Sequence, residues 1–397
     1  MSAKAWRFDE FVLDARQCEL RRNGTPIPVE PQVFDVLVHL VAHHDRVVSR
    51  DELLNVIWGP GNASEASLSS RIKAARRALG DTGAAQTWIR TVRGRGYRFV
   101  RVPTWVESEQ GVKAAEPMPP QRVAYTRAHD GVRLAYGVAG TGPPLVRAAH
   151  WMTHLGYDAD SPVWRHWVAG LASKRRLIRY DERGCGMSDW AVGDFTFEDW
   201  VTDLETVVDA LDLDRFPLLG VSQGGAVAVA YAARHPARVS RLILVGAYAC
   251  GRAKRAVGDP ERRLAALDIE LARWGWGRDD PAFRQVFAAQ FQPDGSREEW
   301  NAFDELQRRT TTPENAARFL EQFAEVDVLD LARKIECPTL VMHSREDHRV
   351  PYWCAEQLTA AIAGARLVSL PSRNHLLTED EPAWRLFLDE VDGFLGT

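Results

Sequence analysis

Apolar and polar positions follow two different arrangements along the chain. From residue 123 onward, short apolar runs rich in β-branched residues are separated by longer stretches whose apolar positions have helical spacing. The apolar runs include 144–148, 177–180, 217–221 and 242–245, and the helical stretches include 164–172, 197–211 and 226–234. This alternation predicts a mostly parallel sheet with helices on both faces, an α/β architecture.

Between residues 248 and 328 the apolar spacing becomes purely helical. We expect four consecutive helices here, at 262–274, 282–291, 296–308 and 313–324. Aromatic residues are frequent in this insertion, and they include Trp274, Trp276, Phe283, Phe287, Phe291, Trp300, Phe303, Phe319 and Phe323. Most of them should pack within the insertion itself. The others should line a pocket, which favours an apolar or aromatic ligand.

The first hundred residues have the other arrangement, in which short β-type runs surround three helical stretches. Residues 6–13 and 18–29 suit strands, and the second run contains a turn at Asn23-Gly24, so a small antiparallel sheet is expected. Helices are expected at 31–43, 49–58 and 64–79, and a hairpin that turns at two glycines is expected at 88–100. This order predicts a winged helix, an α+β fold.

Charge is divided unevenly between the two parts. The net charge of the chain is −4, yet residues 1–103 contain 16 basic and 11 acidic side chains. Residues 64–101 alone contain nine basic and two acidic side chains. A basic segment within an acidic chain indicates a polyanionic partner, and the helix-and-hairpin pattern favours double-stranded DNA.

The third helix and the hairpin supply the candidate DNA contacts. The helix has one apolar face and an opposite face of small and basic residues, which suits a helix lying in a major groove. A basic hairpin beside it would act as a wing on the backbone or the minor groove. The candidate contacts are Ser70, Arg71, Lys73 and Arg77 on the helix, and Arg93, Arg95 and Arg98 on the hairpin.

Four segments of the first hundred residues resemble the DNA-binding domain of OmpR/PhoB-type winged-helix regulators. They are Val29-Glu30-Pro31, residues 49–54 (SRDELL), residues 76–81 (RRALGD) and residues 91–99 (TVRGRGYRF). The resemblance covers residues 6–102 and implies DNA binding. Such domains are usually joined to a phosphoacceptor receiver or a membrane-anchored sensor; this chain has neither, so its input signal should enter differently.

Length and composition limit the number of domains and the class of protein. The chain has 397 residues, enough for two or three domains, and its 45% hydrophobic and 26% charged residues are ordinary for a soluble globular protein. Five scattered cysteines form no CxxC pair, so neither a disulfide framework nor a metal site is expected, and no cofactor is expected. With no signal peptide and no apolar run of about 18 residues, a cytoplasmic protein is expected.

A linker should separate the two parts. Residues 105–120 (WVESEQGVKAAEPMPP) have neither helical nor strand periodicity and end in prolines. We therefore expect a winged-helix domain at 1–104, a linker at 105–121 and an α/β domain at 122–397.

The sequence Gly220-Val-Ser-Gln-Gly-Gly225 predicts a nucleophilic serine. An apolar run precedes it and an Ala-rich helical stretch follows, which is the strand–turn–helix context of a nucleophile elbow. Ser222 would be the nucleophile, and the backbone N–H of Gln223 would face the oxyanion from the helix N-terminus.

The base and the acid of a triad should follow Ser222 in the order acid, then histidine. Asp347 follows an apolar strand at 337–343, and His375 follows the next one at 367–371. We expect His343 to be a packed residue of the strand. Glu346 and His348 should be solvated neighbours of Asp347.

The second part of the chain, residues 122–397, resembles the α/β-hydrolase family. Besides the triad, residues 181–188 (DERGCGMS) match its DxRGxGxS loop, and residues 376–382 match the segment after its histidine. The resemblance implies that the helical insertion at 248–328 is a lid. The family's His-Gly after the third strand is His150-Trp151 here, and the N–H of Trp151 would be the second oxyanion donor. Within the loop, Cys185 should serve packing.

Three functions are compatible with these observations. The leading one is a one-component transcription regulator that binds DNA and senses a small apolar ester, lactone or related carbonyl compound, with turnover left open. The second is a serine esterase or lactonase whose DNA-binding domain is secondary, and the third is a catalytically silent receptor. A homodimer is expected, because paired domains on two half-sites gain affinity through effective concentration.

Overall fold

The computed structural model describes residues 5–15, 19–58, 65–82, 84–106, 118–150, 152–278 and 280–396. They form two compact units, one within residues 1–115 and the other within 116–397. The division falls inside the expected linker, most of which lies outside the described residues.

The N-terminal unit combines a five-stranded antiparallel sheet, three helices and a separate hairpin. The sheet is formed by β1 (Ala5–Phe8), β2 (Phe11–Asp14), β3 (Glu19–Arg22), β4 (Thr25–Ile27) and β7 (Thr104–Val106), in the order β4-β3-β2-β1-β7. The helices are α1 (Pro31–Ala42), α2 (Arg50–Trp58) and α3 (Glu65–Ala78), and the hairpin pairs β5 (Ile89–Val92) with β6 (Gly96–Phe99). The expected winged helix is confirmed. Residues 6–13 form two strands rather than one, because the chain turns at Asp9, whose φ is +47°.

The apolar face expected on α3 closes the core of this unit. Leu68, Ile72, Ala75 and Leu79 are all buried, together with Leu37 and Val41 of α1. Rings from both sheets complete the core, with Phe8 lying 5.0 Å from Phe99 between ring centroids. Packing α3 by this face turns its basic face outward.

Backbone hydrogen bonds join the hairpin to the loop before α2. The N–H of Val48 donates to the carbonyl of Tyr97 at 2.8 Å, and the N–H of Tyr97 donates back at 2.9 Å. Gly96 makes this approach possible, since a Cβ atom there would lie 2.0 Å from the carbonyl oxygen of Val48. The hairpin is therefore fixed at its base.

The second unit is built on an eight-stranded sheet. Its strands are β8 (Gln121–Arg127), β9 (Arg133–Ala139), β10 (Pro144–Arg147), β11 (Arg176–Tyr180), β12 (Phe216–Val221), β13 (Val239–Val245), β14 (Thr339–Ser344) and β15 (Arg366–Leu370). They lie in the order β15-β14-β13-β12-β10-β11-β9-β8. Only the pairings β8–β9 and β9–β11 are antiparallel among these described strands, so the sheet is mostly parallel, as expected.

Helices flank the sheet and form the insertion. Those beside the sheet are α4 (Arg165–Ala172), α5 (Phe197–Asp209), α6 (Gln223–Arg234), α11 (Leu329–Ala332), α12 (Trp353–Ala361) and α13 (Pro382–Leu395). The insertion contains α7 (Asp259–Gly275), α8 (Pro281–Phe291), α9 (Arg297–Thr310) and α10 (Pro313–Glu325). All four expected lid helices are present within three residues of their expected bounds.

The centre of the sheet is buried on both faces, as a covered parallel sheet must be. All six residues of β14 and the last four residues of β12 are buried. The loops that follow these strands therefore start from rigid, buried strand ends. Among the described helices, none is both long enough and apolar enough to cross a membrane.

Candidate functional site

Ser222 occupies a sharp turn between β12 and α6. Its backbone lies at φ +53° and ψ −124°, a conformation that is strained for a residue with a side chain. Neighbouring glycines allow the strand and the helix to approach: a Cβ atom at Gly220 would lie 2.6 Å from the Cα of Gly225. At Gly225 itself, a Cβ atom would lie 2.4 Å from the Cβ of Ala247. The structure thus has the geometry expected of a nucleophile elbow.

The three residues expected to form a triad lie together. The Nε2 of His375 is 2.8 Å from the Oγ of Ser222, and its Nδ1 is 2.6 Å from the Oδ2 of Asp347. All three side chains are buried. They come from the loops after β12, β14 and β15, so parallel strands of one sheet bring together residues that are far apart in the sequence.

Asp347 is held as an ionised acceptor. Its Oδ1 accepts the backbone N–H groups of Arg349 at 2.8 Å and Val350 at 2.9 Å. Burial acts to raise the pKa of Asp347, but its contacts with His375, the nearby His343 and the hydrogen bond from the Val350 N–H lower it overall. An ionised carboxylate here orients the imidazole and stabilises its protonated form.

The neighbours of Asp347 are placed as expected. His343 is buried in β14, with its Nε2 2.8 Å from the carbonyl oxygen of Val350 and 3.5 Å from Asp347. Burial lowers the pKa of His343, which keeps the ring neutral. Glu346 and His348 are exposed.

The structure describes one of the two expected oxyanion donors, Gln223. Gln223 is the first residue of α6, and N–H groups of a first turn point out of the helix N-terminus towards the space beside Ser222. Trp151, the expected second donor, lies outside the described residues. The side-chain amide of Gln223 donates to the Oε1 of Glu182.

Glu182 is a buried acid that the sequence analysis did not single out. It follows Asp181 in the loop after β11 and is only 1% exposed. Burial raises its pKa to about 8, with the Gln223 amide acting in the opposite direction. Its Oε2 is also buried and has no hydrogen-bond partner among the described residues. A neutral carboxylic acid therefore lies beside the side-chain amide of Gln223 at pH 7.

The rest of the DxRGxGxS loop has a structural role. Asp181 accepts hydrogen bonds from Thr153 at 2.9 Å and from the backbone N–H of Met187 at 2.8 Å. Arg183 makes a bidentate pair with Asp203, at 2.8 and 2.6 Å. Cys185 is buried, and burial raises the pKa of its thiol, which suits packing and not nucleophilic attack.

A cavity of about 500 Å³, including its open mouth, lies beside Ser222. Its wall combines apolar and charged residues, and those the structure places there are Ser222, Gln223, Tyr248, Arg252, Arg255, Ala265, Asp268, Phe291, Leu320, Phe323, Ala324, Arg349 and Val350. Most lid aromatics are core residues and two line the cavity, as expected. The apolar character expected of the pocket is wrong in one respect, because three arginines also face it.

The candidate DNA contacts fall into two groups. Lys73, Arg77 and the hairpin arginines Arg93, Arg95 and Arg98 are exposed, as is Ser70. Those five cations make no hydrogen bond or ion pair with any residue that the structure describes. Arg71 is engaged: its Nη1 lies 3.0 Å from Glu30 and its Nε 3.1 Å from the amide oxygen of Gln32.

One group of side chains in the N-terminal unit has the composition of a metal site. Potential ligand atoms of His39, His43 and Glu52 lie within 4.8 Å of one another. Glu52, however, already accepts from Arg46 at 2.6 and 2.8 Å and from His39 at 2.8 Å. The hydrogen bond from Arg46 is the main cause that lowers the pKa of Glu52 to about 2. The group is an ion-pair network between α1 and α2.

Sequence comparison separates the same two units. Residues 154–382 match the model of the alpha/beta hydrolase fold, and residues 24–99 match that of the C-terminal domain of transcriptional regulatory proteins. The chain is 31% identical to 2-hydroxy-6-oxo-2,4-heptadienoate hydrolase of Pseudomonas putida, over 60% of this chain and 84% of that protein. It is 29% identical to pyrrolizixenacetamide deacetylase of Xenorhabdus hominickii, over 63% and 90% of the two chains.

Solved structures of hydrolases are also similar to this chain. An enol-lactonase from Burkholderia xenovorans superposes with a TM-score of 0.57 at 26% identity, over 69% of this chain and all of that one. A hydrolase from Pseudomonas aeruginosa gives 0.58 at 26% identity, over 70% and 99% of the two chains. The chain belongs to the α/β-hydrolase family, joined here to an N-terminal winged-helix domain of the OmpR/PhoB type.

Proposed function

We propose that this protein is a one-component transcription regulator, in which the winged helix binds double-stranded DNA and the hydrolase domain senses a small carbonyl compound. One observation carries the proposal. A single chain joins a helix and hairpin, whose exposed cations have no partner among the described residues, to an assembled Ser–His–Asp site that opens into a cavity. Neither a DNA-binding domain nor a hydrolase alone accounts for this combination.

The DNA-binding part of the proposal rests on five cations. Lys73 and Arg77 lie on the outer face of α3, where they would reach base edges and phosphates of a major groove. Arg93, Arg95 and Arg98 on the hairpin would hold the backbone or the minor groove. Ser70 would add a short hydrogen-bonding side chain. Arg71 stays a predicted contact, although Glu30 and Gln32 hold it in the free protein.

In the hydrolase domain, Ser222 would attack a carbonyl carbon while His375 takes its proton and Asp347 holds the imidazole in the productive tautomer. The N–H groups of Gln223 and Trp151 would stabilise the oxyanion. Because the nucleophile is serine, the ligand class is an ester, thioester, lactone or compound with a cleavable carbon–carbon bond next to a carbonyl. The named relatives include a deacetylase, an enol-lactonase and a heptadienoate hydrolase, which supports this range.

An enzyme with a secondary DNA-binding domain is the second candidate. The 2.6 and 2.8 Å separations in the triad favour it, since such contacts suit proton transfer. Hydrolysis of p-nitrophenyl butyrate by the wild type and by Ser222→Ala measures turnover directly.

The experiment that tests the regulator uses the full chain and DNA selected from a random duplex library. A fluorophosphonate that fills the site by reacting with Ser222 is expected to change the affinity for the selected DNA, as measured by fluorescence anisotropy. Ser222→Ala treated with the same reagent is the control and should show no change. Equal DNA affinity with and without the bound reagent would contradict sensing through this site.

We also propose a homodimer, with its interface in the hydrolase domain. Two winged helices on paired half-sites bind far more tightly than one, because the second binding step is intramolecular. Sedimentation at micromolar concentration is expected to give twice the chain mass. A monomer both free and on DNA would contradict this.

A further inference from the structure

The cavity beside Ser222 contains more positive than negative charge. Arg252, Arg255 and Arg349 line it, whereas Asp268 is the one acid among the described lining residues. All three arginines are half-buried, and the side chains of Arg252 and Arg349 are 34% and 13% exposed, so each guanidinium is partly removed from water, which favours a partner of opposite charge. This excess of positive charge beside Ser222 affects which ligands the cavity can bind.

Two of the arginines share the single carboxylate. The Nη1 of Arg349 lies 2.6 Å from the Oδ2 of Asp268, and the guanidinium of Arg252 donates to the same oxygen. Burial and repulsion from the other two arginines lower the pKa of Arg252, with Asp268 opposing them. One negative charge thus offsets only one of these two cations.

Arg255 has no acidic partner within the described chain. Its Nη1 donates to the carbonyl of Cys250 at 3.1 Å, and its Cζ lies 5.0 Å above the ring of Tyr248. These contacts fix the guanidinium but use few of its five N–H donors. Burial raises the pKa of Tyr248 to about 12, so the ring beneath Arg255 stays neutral.

The nearest other buried acids do not balance the excess. Asp347 is engaged by His375 at 2.6 Å, and burial raises the pKa of Glu182 to about 8, which keeps that carboxyl group neutral at pH 7. The wall of the cavity therefore offers a fixed, half-buried guanidinium fork in the same cavity as Ser222.

We propose that Arg252, Arg255 and Arg349 form a subsite for the carboxylate of a small carbonyl-containing ligand, with Arg255 as the principal contact. This inference rests on the proposed function, because it places the ligand's carbonyl group at Ser222. A carboxylate matches the planar guanidinium fork and supplies the missing negative charge, which a neutral ester does not. The ligand class narrows to carbonyl compounds that also bear a free carboxylate, with Phe291 and Phe323 contacting the apolar segment between the two groups.

The test compares ligands that differ in one terminal group. The (ω−1)-oxo acids from 4-oxopentanoate to 8-oxononanoate carry a methyl ketone at one end and a carboxylate at the other. Each is compared with the unbranched methyl ketone of equal chain length, from 2-pentanone to 2-nonanone. Neither series is hydrolysed, so calorimetry on the full-length protein measures affinity whether or not the triad turns over. We expect at least one oxo acid to bind about tenfold or more tightly than its ketone, and this preference should shrink as salt is raised.

Three variants assign the preference to the subsite. Arg255→Gln should abolish it while leaving ketone affinity unchanged, and Arg255→Lys should retain part of it. Arg263→Gln, on the exposed face of α7, removes an equal charge outside the cavity and should change nothing.

Other results would overturn the assignment. One is equal affinity for every oxo acid and its ketone, and another is that no oxo acid binds. A third is that Arg255→Gln lowers the affinity for oxo acids and for ketones by the same factor. Binding of inorganic phosphate without any preference for oxo acids would also overturn it. None of these measurements involves DNA, so failure here leaves the fluorophosphonate experiment on DNA affinity to be decided separately.

Discussion

Replacing Glu182 by glutamine should make the hydrolase domain more stable at neutral and alkaline pH. The folded protein holds this carboxyl group with a pKa of about 8, against an ordinary value of 4.5. Between these two values the folded state keeps a proton that the unfolded chain releases, so the free energy of unfolding decreases as the pH rises. At about 1.4 kcal/mol per pH unit, the largest loss is about 5 kcal/mol by pH 8.

Glutamine has nearly the same shape and can still accept the hydrogen bond from Gln223, but it carries no charge at any pH. Unfolding by urea, followed by tryptophan fluorescence from pH 5 to pH 8.5, should give similar stabilities at pH 5. The variant should then become progressively more stable than the wild type up to about pH 8. His166 and Asp203, whose pKa values burial shifts to about 4 and about 6, titrate in both proteins and cancel in the difference.

The control is Glu346→Gln, which removes an exposed carboxylate near the same site. Its stability curve should run parallel to that of the wild type. If the Glu182→Gln curve is also parallel to the wild type across this range, Glu182 is ionised in the folded protein, and the reasoning from its burial is wrong.

Three further predictions concern the two domains. Arg77→Ala and Lys73→Ala should each weaken binding to a selected DNA site by about 1–3 kcal/mol, or reduce the salt slope by about one, as measured by anisotropy; unchanged affinity and slope in both variants would remove them from the interface. A fluorophosphonate should label Ser222, and His375→Ala should abolish the labelling in peptide mass spectra; an unlabelled wild type would mean that the triad is inactive. Asp203→Ala should destabilise the fold by about 3 kcal/mol because it removes the bidentate partner of buried Arg183, whereas urea midpoints should barely change in Glu346→Ala.

Local patterns explain why so much of the site could be predicted. A strand, a glycine-flanked serine and an Ala-rich helix are contiguous in the sequence, so the turn at Ser222 is visible without tertiary information. Asp347 and His375 each follow an apolar strand, and adjacent parallel strands bring their carboxyl ends to one edge of the sheet. The lid helices were likewise visible from apolar spacing alone.

The charged residues of the cavity could not be predicted in this way. Arg252 precedes α7 and Arg349 follows β14, and only the folded lid brings both to Asp268. The aromatic composition of the insertion favours an apolar pocket. Composition does not show which side chains face the cavity, so the three arginines could not be foreseen. Glu182 gave one signal that could have been used, since an acid between Asp181 and Arg183 at the end of a buried strand has little access to water.

The base of the hairpin has a consequence for how binding specificity could evolve. The hairpin is held to the loop before α2 by reciprocal bonds between the backbones of Val48 and Tyr97, with Gly96 providing the space. Backbone bonds do not depend on side-chain identity, so substitutions at the tip, where Arg93 and Arg95 lie, leave this attachment unaffected. Copies of such a gene could therefore acquire new DNA-sequence preferences through changes at the tip, while the fold that presents the tip stays the same.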